Sequence, residues 1–207
     1  MSMMHGDQEL AQPIPRRLRL ARLVGEVLSP PPILVALALA VAWASSPTPA
    51  MAVLSGAIAV GFASVLPYAL ILRAVRRGRL TDKNISLRKQ RIGFGGVAIT
   101  SILLGLVLLA ASDAPAEMVA LLASIAVGVA CGWVITLWWK ISVHAAIAAG
   151  AATVLTLVFG SALLAAWPLV ALIAWSRVQV GDHTPAQVLA GVALGIVVNA
   201  TVFPLPR

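Results

Sequence analysis

The stretch AAIAAGAATVLTLVFGSALLAAWPLVALIAW, residues 145–175, contains 31 residues and no charge. A single helix of that length would be about 46 Å long at 1.5 Å per residue. It would therefore overrun a hydrocarbon core that is roughly 30 Å thick. Gly160 and Ser161 interrupt the run near its middle. The stretch predicts two short tilted helices that turn at Gly160 and return the chain to the side of the membrane from which it came.

The whole chain has the composition of a protein embedded in lipid. Of its 207 residues, 60% are hydrophobic and 11% are charged, and its mean hydropathy is +0.98. A soluble domain is about half apolar and about a quarter charged. The apolar runs are long and continuous, unlike the alternating segments of roughly ten residues in a transmembrane β-barrel. We therefore predict an all-α fold, a multi-pass integral membrane helical bundle with six to seven transmembrane helices.

Further apolar segments complete this bundle on both sides of residues 145–175. The other predicted crossings are 33–44, extended at its start by 24–29, then 51–72, 92–111, 118–139 and 185–203. Residues 1–22 are polar and carry four arginines. This pattern indicates an amphipathic N-terminal segment on the membrane surface, followed by a helical bundle over residues 23–207.

The basic residues fall on one side of this topology. Fourteen of the fifteen Lys and Arg residues lie in the N-terminal segment and in the polar stretches 73–91, 140–144 and 176–183. The loops on the opposite side hold two acidic residues and no base before the C-terminal Arg207. The positive-inside rule makes the basic side cytoplasmic, which predicts a multi-pass cell-membrane protein. Contacts with anionic lipid head groups explain the net charge of +8 better than nucleic acid does.

The same topology brings three polar clusters to the basic side. They are Lys83, Arg88 and Arg91; Lys140, Ser142 and His144; and Arg177, Asp182 and His183. Ionisable groups at membrane depth are costly and are functional candidates. Arg binds phosphate oxygens in bidentate fashion and Lys acts as a point charge. One His can attack phosphorus while another protonates the leaving oxygen. The clusters thus predict a phosphate site at the lipid–water boundary, and we assign it no metal and no other cofactor.

Three stretches carry a resemblance to a known family. Ser176-Arg177-x5-His183 resembles the third signature of the type 2 phosphatidic acid phosphatase superfamily, Ser-Arg-x5-His-x3-Asp. Residues 141–144, Ile-Ser-Val-His, are similar to the second signature, Pro-Ser-Gly-His. Arg88-x-x-Arg91 lies where the first signature, Lys-x6-Arg-Pro, is expected, with Asn84 and Ile92 in place of its Lys and Pro. The similarity extends over about residues 79–203.

The resemblance implies a metal-independent membrane phosphohydrolase that acts on a lipid phosphate or diphosphate, either isoprenoid or glycerolipid, through a phosphohistidine. Carried over by position, His183 is the nucleophile and His144 protonates the leaving group. Three further residues would hold phosphate oxygens, namely Arg91, Ser142 and Arg177. Charge and proximity add three cations to this set, namely Lys83, Arg88 and Lys140.

Gln187 departs from the third signature, because the family has an Asp there that orients and charges the nucleophilic His. An amide oxygen can hold the imidazole tautomer but cannot stabilise its cation. Residues 184–187, Thr-Pro-Ala-Gln, also have the pattern of a helix capping box. Asp182 is a second candidate for the missing carboxylate. The alternative function is therefore a weak or inactive phosphatase-like protein that binds or carries anionic lipids, and the oligomeric state is left open.

Overall fold

The computed structural model describes residues 15–83, 85 and 87–205, without the side chains of Arg88 and Arg91. In this part of the chain the secondary structure is helical. The helices are α1 (Arg16–Val27), α2 (Pro30–Ser45), α3 (Pro49–Val60), α4 (Leu66–Arg76), α5 (Arg88–Ala111), α6 (Ala116–Thr136), α7 (Val143–Phe159), α8 (Trp167–Gln179) and α9 (Pro185–Val202). The predicted all-α, multi-pass helical bundle is confirmed.

Each of the seven segments predicted to cross the membrane is helical. Among the described residues, five helical segments are long and apolar enough to cross, and a sixth span results if α1 and α2 are counted as one bent pair. Helix α7 is apolar but has only 17 residues. Up to six spans therefore meet the requirements of length and composition, which is the lower end of the predicted range.

The apolar run 145–175 folds as its length predicts. Helix α7 ends at Phe159, and the next residue, Gly160, has a φ of 83°, in the left-handed region that glycine adopts without a steric penalty. A 3-10 turn over Ser161–Ala166 follows and leads directly into α8. The predicted pair of short helices is confirmed, and Gly160 is the residue at which the chain reverses.

Helix α1 is separated from α2 by a bend of 43°. Pro30 begins α2, and the preceding Ser29 is extended, with φ −76° and ψ 162°. A residue before proline is disfavoured in the helical region, so the two helices cannot run on as one. Residues 24–27 thus end α1, and they extend the first crossing only as part of a bent pair with α2. The predicted domain boundary at residue 22 falls inside α1, and this division stays a prediction.

Helices α7 and α9 lie closer together than side chains of ordinary size would allow. A β-carbon at Gly191 would overlap the carbonyl of Ser142, and one at Gly195 would overlap the carbonyl of Ala146. Small residues let helix backbones approach in this way. At the start of the two helices, the backbone N–H of Ser142 donates to the carbonyl of Gln187 at 3.2 Å. The second and third signature segments are therefore fixed to each other.

Candidate functional site

The candidate site lies where α7 begins, α8 ends and α9 begins. The ammonium group of Lys140 donates a hydrogen bond of 2.7 Å to the backbone carbonyl of Asp182. The bond between Ser142 and Gln187 joins the same two loops at a second point. His144 and His183 are both buried, each with 8% of its surface exposed. The structure thus brings the second and third polar clusters together, as the topology predicts.

The imidazole of His183 is oriented by Gln187. The side-chain oxygen Oε1 of Gln187 accepts a hydrogen bond from the backbone N–H of Thr184 at 3.2 Å, and the same oxygen lies 3.2 Å from Nδ1 of His183. Only the oxygen of the amide can accept from the Thr184 N–H, so Nδ1 of His183 has to be the donor in its contact. The neutral imidazole then carries its lone pair on Nε2, the atom that can act as a nucleophile.

Gln187 therefore serves both of the roles that its position suggests. The hydroxyl oxygen of Thr184 accepts from the backbone N–H of Gln187 at 3.3 Å, which completes the capping box at the start of α9. The structural role and the contact with His183 use the same Gln187 oxygen, so they do not compete. What the amide cannot supply is the negative charge of the family's Asp.

Arg177 is buried and pairs with the partly exposed carboxylate of Asp182. Its side chain is 4% exposed, and Nη1 of the guanidinium lies 3.1 Å from Oδ2 of Asp182. Nε of Arg177 donates to the hydroxyl of Ser176 at 3.2 Å. A buried cation is stable only when a charge and hydrogen-bond acceptors compensate it. Asp182, the second candidate for the carboxylate partner of His183, is thus bound to Arg177.

The end of α1 covers the guanidinium of Arg177. Gly25 is buried, and a β-carbon at this position would overlap the Arg177 side chain. The next residue, Glu26, accepts from Nζ of Lys83 at 3.4 Å. Helix α1 therefore connects the first polar cluster to the third. Sequence reasoning missed both residues, although Gly25 is an isolated glycine in a helical run and Glu26 is the one acidic residue between Arg16 and Thr81.

Three predicted site residues remain, namely Ser142, Arg88 and Arg91. Ser142 is fully buried and caps α7, where its hydroxyl oxygen accepts from the N–H of Ala145 at 3.4 Å. Arg88 and Arg91 belong to the first turn of α5, and their side chains lie outside the described residues, as does Asn84. Of the first polar cluster, Lys83 is the member whose side chain the structure describes.

A cavity of about 340 Å³ extends from this site into the bundle. Glu26, Lys83 and His144 are among the residues that line it, and so is Gly25, which packs against the guanidinium of Arg177. The inner walls are formed mainly by small and apolar side chains from α2, α5, α6, α7 and α9, among them Leu37, Ile102, Ile125, Ala151, Leu194 and Val198. The cavity therefore has mainly apolar walls, and Glu26, Lys83 and His144 supply ionisable side chains that line it beside the candidate site.

Comparison with known proteins finds one family model that matches the C-terminal third of the chain. The family model described as PAP2 superfamily matches residues 139–207, which are 69 of the 207 residues. The match contains the second and third signature segments, and the first lies outside it. No curated protein and no solved structure matches the chain. PAP2 proteins are generally phosphatases, and the match suggests phosphatase activity on lipid-like phosphates. The C-terminal third of the chain, residues 139–207, therefore matches the PAP2 superfamily, and this match supports a protein of the type 2 phosphatidic acid phosphatase kind.

Proposed function

We propose that the chain is a membrane-embedded phosphohydrolase that removes phosphate from a lipid phosphate or diphosphate through a phosphohistidine on His183. The observation that carries this proposal is the contact of 3.2 Å between Nδ1 of His183 and Oε1 of Gln187. It holds the protonated Nδ1 in place and leaves the lone pair on Nε2. A nucleophile that is oriented by a neighbouring acceptor is the arrangement required for covalent catalysis.

The reaction divides into two displacements at phosphorus. In the first, Nε2 of His183 forms a bond to phosphorus while the bond to the leaving oxygen breaks, and His144 gives that oxygen a proton. In the second, water attacks the phosphohistidine, His144 accepts the proton of the water, and the bond from phosphorus to Nε2 breaks. Inorganic phosphate is released and both histidines return to their starting protonation states.

The cations of the site would stabilise the charge on the transferring phosphoryl group. Arg177 offers a bidentate guanidinium, and Lys140 lies beside the same loop, 2.7 Å from the carbonyl of Asp182. Lys83 and His144 both line the cavity. Arg88, Arg91 and Ser142 complete the proposed phosphate-binding set. Since these groups supply positive charge, the proposed reaction uses no metal ion.

The lipid part of the substrate would lie in the cavity. Its mainly apolar walls, with Lys83 and His144 among the lining residues, correspond to a ligand with one anionic head and a hydrocarbon portion. The head would be at the lipid–water boundary, where the basic stretches of the sequence collect. By the distribution of these charges, we propose a cell-membrane location with the site on the cytoplasmic side.

A second function is favoured by two features of the same site. Gln187 supplies no charge to His183, and the guanidinium of Arg177 is already paired with Asp182 at 3.1 Å. A protein with this site could bind anionic lipids through its other cations and turn them over weakly or not at all. The alternative is therefore a phosphatase-like protein that binds or carries anionic lipids.

Release of phosphate from a panel of lipid phosphates and diphosphates distinguishes the two functions. The purified protein in detergent, with EDTA present, is expected to release phosphate, and His183→Ala is expected to abolish release. Leu189→Ala, an exposed position on α9, serves as the control and should retain activity. Binding of the panel without any release by the wild-type protein would favour the alternative.

A further inference from the structure

Helix α1 has two faces with different surroundings. Ala21 and Gly25 are buried, and the guanidinium of Arg17 lies 6.0 Å from the ring centroid of Trp175 on α8. The opposite face, which we call the outer face of α1, carries three apolar side chains, each with more than half of its surface exposed, namely Leu20, Leu23 and Val27. Spacings of three and four residues place such side chains on one face of a helix. The bundle thus covers one face of α1 and leaves the other to a different partner.

The outer face is flanked by positive charge. Four exposed arginines lie along α1, namely Arg16, Arg17, Arg19 and Arg22. The acidic residue of the same helix, Glu26, is bound to Lys83, so it does not neutralise them. An apolar stripe between cationic side chains is the pattern of a helix that binds an anionic membrane surface.

The length of α2 gives the depth of these arginines in the membrane. Helix α2 has 16 residues and is therefore about 24 Å long. It covers most of a hydrocarbon core that is roughly 30 Å thick, so the last turn of α1 is enough to complete the span. The arginines at positions 16–22 then lie at the level of the lipid head groups, and Gly25 lies at the boundary below them.

The buried face of α1 reaches the candidate site. Gly25 packs against the guanidinium of Arg177, since a β-carbon at this position would overlap it. The next residue, Glu26, lies 3.4 Å from Nζ of Lys83. Helix α1 therefore contacts two of the cations that are proposed to hold the phosphate, and its position affects how firmly both are held.

From these contacts, we propose that α1 binds anionic phospholipids through its outer face and that this binding strengthens phosphate binding at Arg177. Head groups held by Arg19 and Arg22 favour the position of α1 against α8, and in that position Gly25 confines the guanidinium. A ligand shifts an equilibrium of this kind by its different affinities for the two states. The enzyme is therefore more active in an anionic membrane than in a zwitterionic one. The inference rests on the proposed function, because the phosphate has to bind at Arg177.

Hydrogen exchange in two membranes tests lipid binding to α1. The protein is placed in nanodiscs of phosphatidylcholine, or of an equal mixture of phosphatidylcholine and phosphatidylglycerol. We expect the backbone amides of residues 16–27 to exchange at least about threefold more slowly in the mixed membrane. Equal exchange in the two membranes would overturn the proposal, since another partner, such as a second copy of the chain, would then cover the outer face.

Two double variants distinguish α1 from the other basic residues. Arg19→Gln with Arg22→Gln should remove most of the difference between the membranes. Arg76→Gln with Arg77→Gln removes two exposed arginines at the end of α4; it is the matched control and should keep the difference. An equal loss in both variants would mean that total charge, and not α1, determines the response, and would also overturn the proposal.

Binding of inorganic phosphate tests the coupling to the site. We expect isothermal titration of the wild-type protein to give a dissociation constant about fivefold lower, or less, in the mixed membrane. The negative surface potential of that membrane repels phosphate and acts in the opposite direction. The Arg19→Gln, Arg22→Gln variant should lose the gain in affinity, and the α4 control should retain it. Equal or weaker binding in the mixed membrane would show that α1 does not act on the site.

Failure of the proposed function has a different signature. Slower exchange of α1 and tighter phosphate binding in the mixed membrane, with no phosphate release from any lipid phosphate, would reject the phosphohydrolase and support this inference. Phosphate release at equal catalytic efficiency in the two membranes, together with equal phosphate affinities, would reject the coupling and support the phosphohydrolase. The two inferences can therefore be rejected separately.

Discussion

Oε1 of Gln187 lies 3.2 Å from Nδ1 of His183 and 3.2 Å from the backbone nitrogen of Thr184. One side-chain oxygen therefore both caps α9 and selects the tautomer of the proposed nucleophile. The position holds a carboxylate in the family signature, and here the geometry is present without the charge. Substitutions of Gln187 can therefore measure how much the missing negative charge affects catalysis.

Gln187→Glu should increase the rate of phosphate release. Glutamate retains Oε1 and is the other residue that occurs at this position of a capping box, so the orientation of His183 should persist. The added charge would stabilise the cationic imidazole, and we expect kcat to rise by about tenfold or more. Steady-state kinetics on a lipid phosphate measures the effect. An unchanged or lower kcat in a folded protein would argue against an electrostatic role for this position.

Gln187→Leu is the matched substitution that removes the oxygen. It should lower kcat, because His183 loses its acceptor, and it should lower the free energy of unfolding by about 1 kcal/mol, because the hydrogen bond from the Thr184 N–H to the Gln187 side chain is lost. Thermal unfolding in detergent reports the second effect. A leucine variant with wild-type kcat would show that the contact does not orient the nucleophile.

Asp182→Asn should strengthen substrate binding and weaken the fold. The carboxylate holds the Arg177 guanidinium at 3.1 Å, so it competes with the phosphate for this group. Its neutralisation should lower KM several-fold, and the unfolding free energy should fall by about 1–3 kcal/mol because a cation that is 4% exposed loses its partner. A higher KM would mean that Asp182 positions Arg177 for the substrate instead of competing with it.

Gly25→Val should impair the site from the neighbouring helix. A side chain at this position would overlap the Arg177 guanidinium, so either Arg177 or α1 has to move. We expect KM for the lipid phosphate to rise by about tenfold, equivalent to about 1.4 kcal/mol of binding. Val27→Ala, at a position of α1 that is 60% exposed, is the control. A KM equal to that of the wild-type protein in Gly25→Val would show that α1 has no role at the site.

Two Gly→Ala substitutions should change stability in opposite directions. Gly195→Ala places a methyl group on the carbonyl of Ala146, and overpacking of this kind destabilises by about 1–3 kcal/mol. Gly96→Ala meets nothing within 4 Å and should stabilise α5 by about 0.5–1 kcal/mol, since alanine is the better helix former. Melting temperatures in the same detergent compare the two. A stabilised Gly195→Ala protein would contradict the close packing of α7 on α9.

Local sequence patterns predict much of this bundle because lipid imposes strict requirements on length and polarity. The uncharged run 145–175 exceeds one span and contains Gly160, so its division into two helices follows from dimensions alone. The capping box at Thr184 and Gln187 is likewise local, and it forms as predicted. The signature residues Arg177 and His183 are recognisable because charged groups are rare in such a sequence.

Contacts between distant segments were not predictable in the same way. The periodicity of α1 shows which residues share a face, but it does not identify α8 as the neighbour of that face. Gly25 was therefore not connected with Arg177, and Glu26 was not connected with Lys83. The pairing of Asp182 with Arg177 depends on how the loop after α8 turns back, which sequence separation alone does not reveal.

Identification of the phosphorylated residue tests the central claim most directly. The wild-type protein is mixed with a lipid phosphate in EDTA, quenched rapidly at alkaline pH, which preserves phosphohistidine, and its peptides are analysed by mass spectrometry. We expect a phosphate on the peptide that contains His183, located on that histidine, and its absence from His183→Ala. Phosphate release that continues at the wild-type rate in His183→Ala, with no phosphorylated histidine in the wild-type protein, would contradict the proposed mechanism.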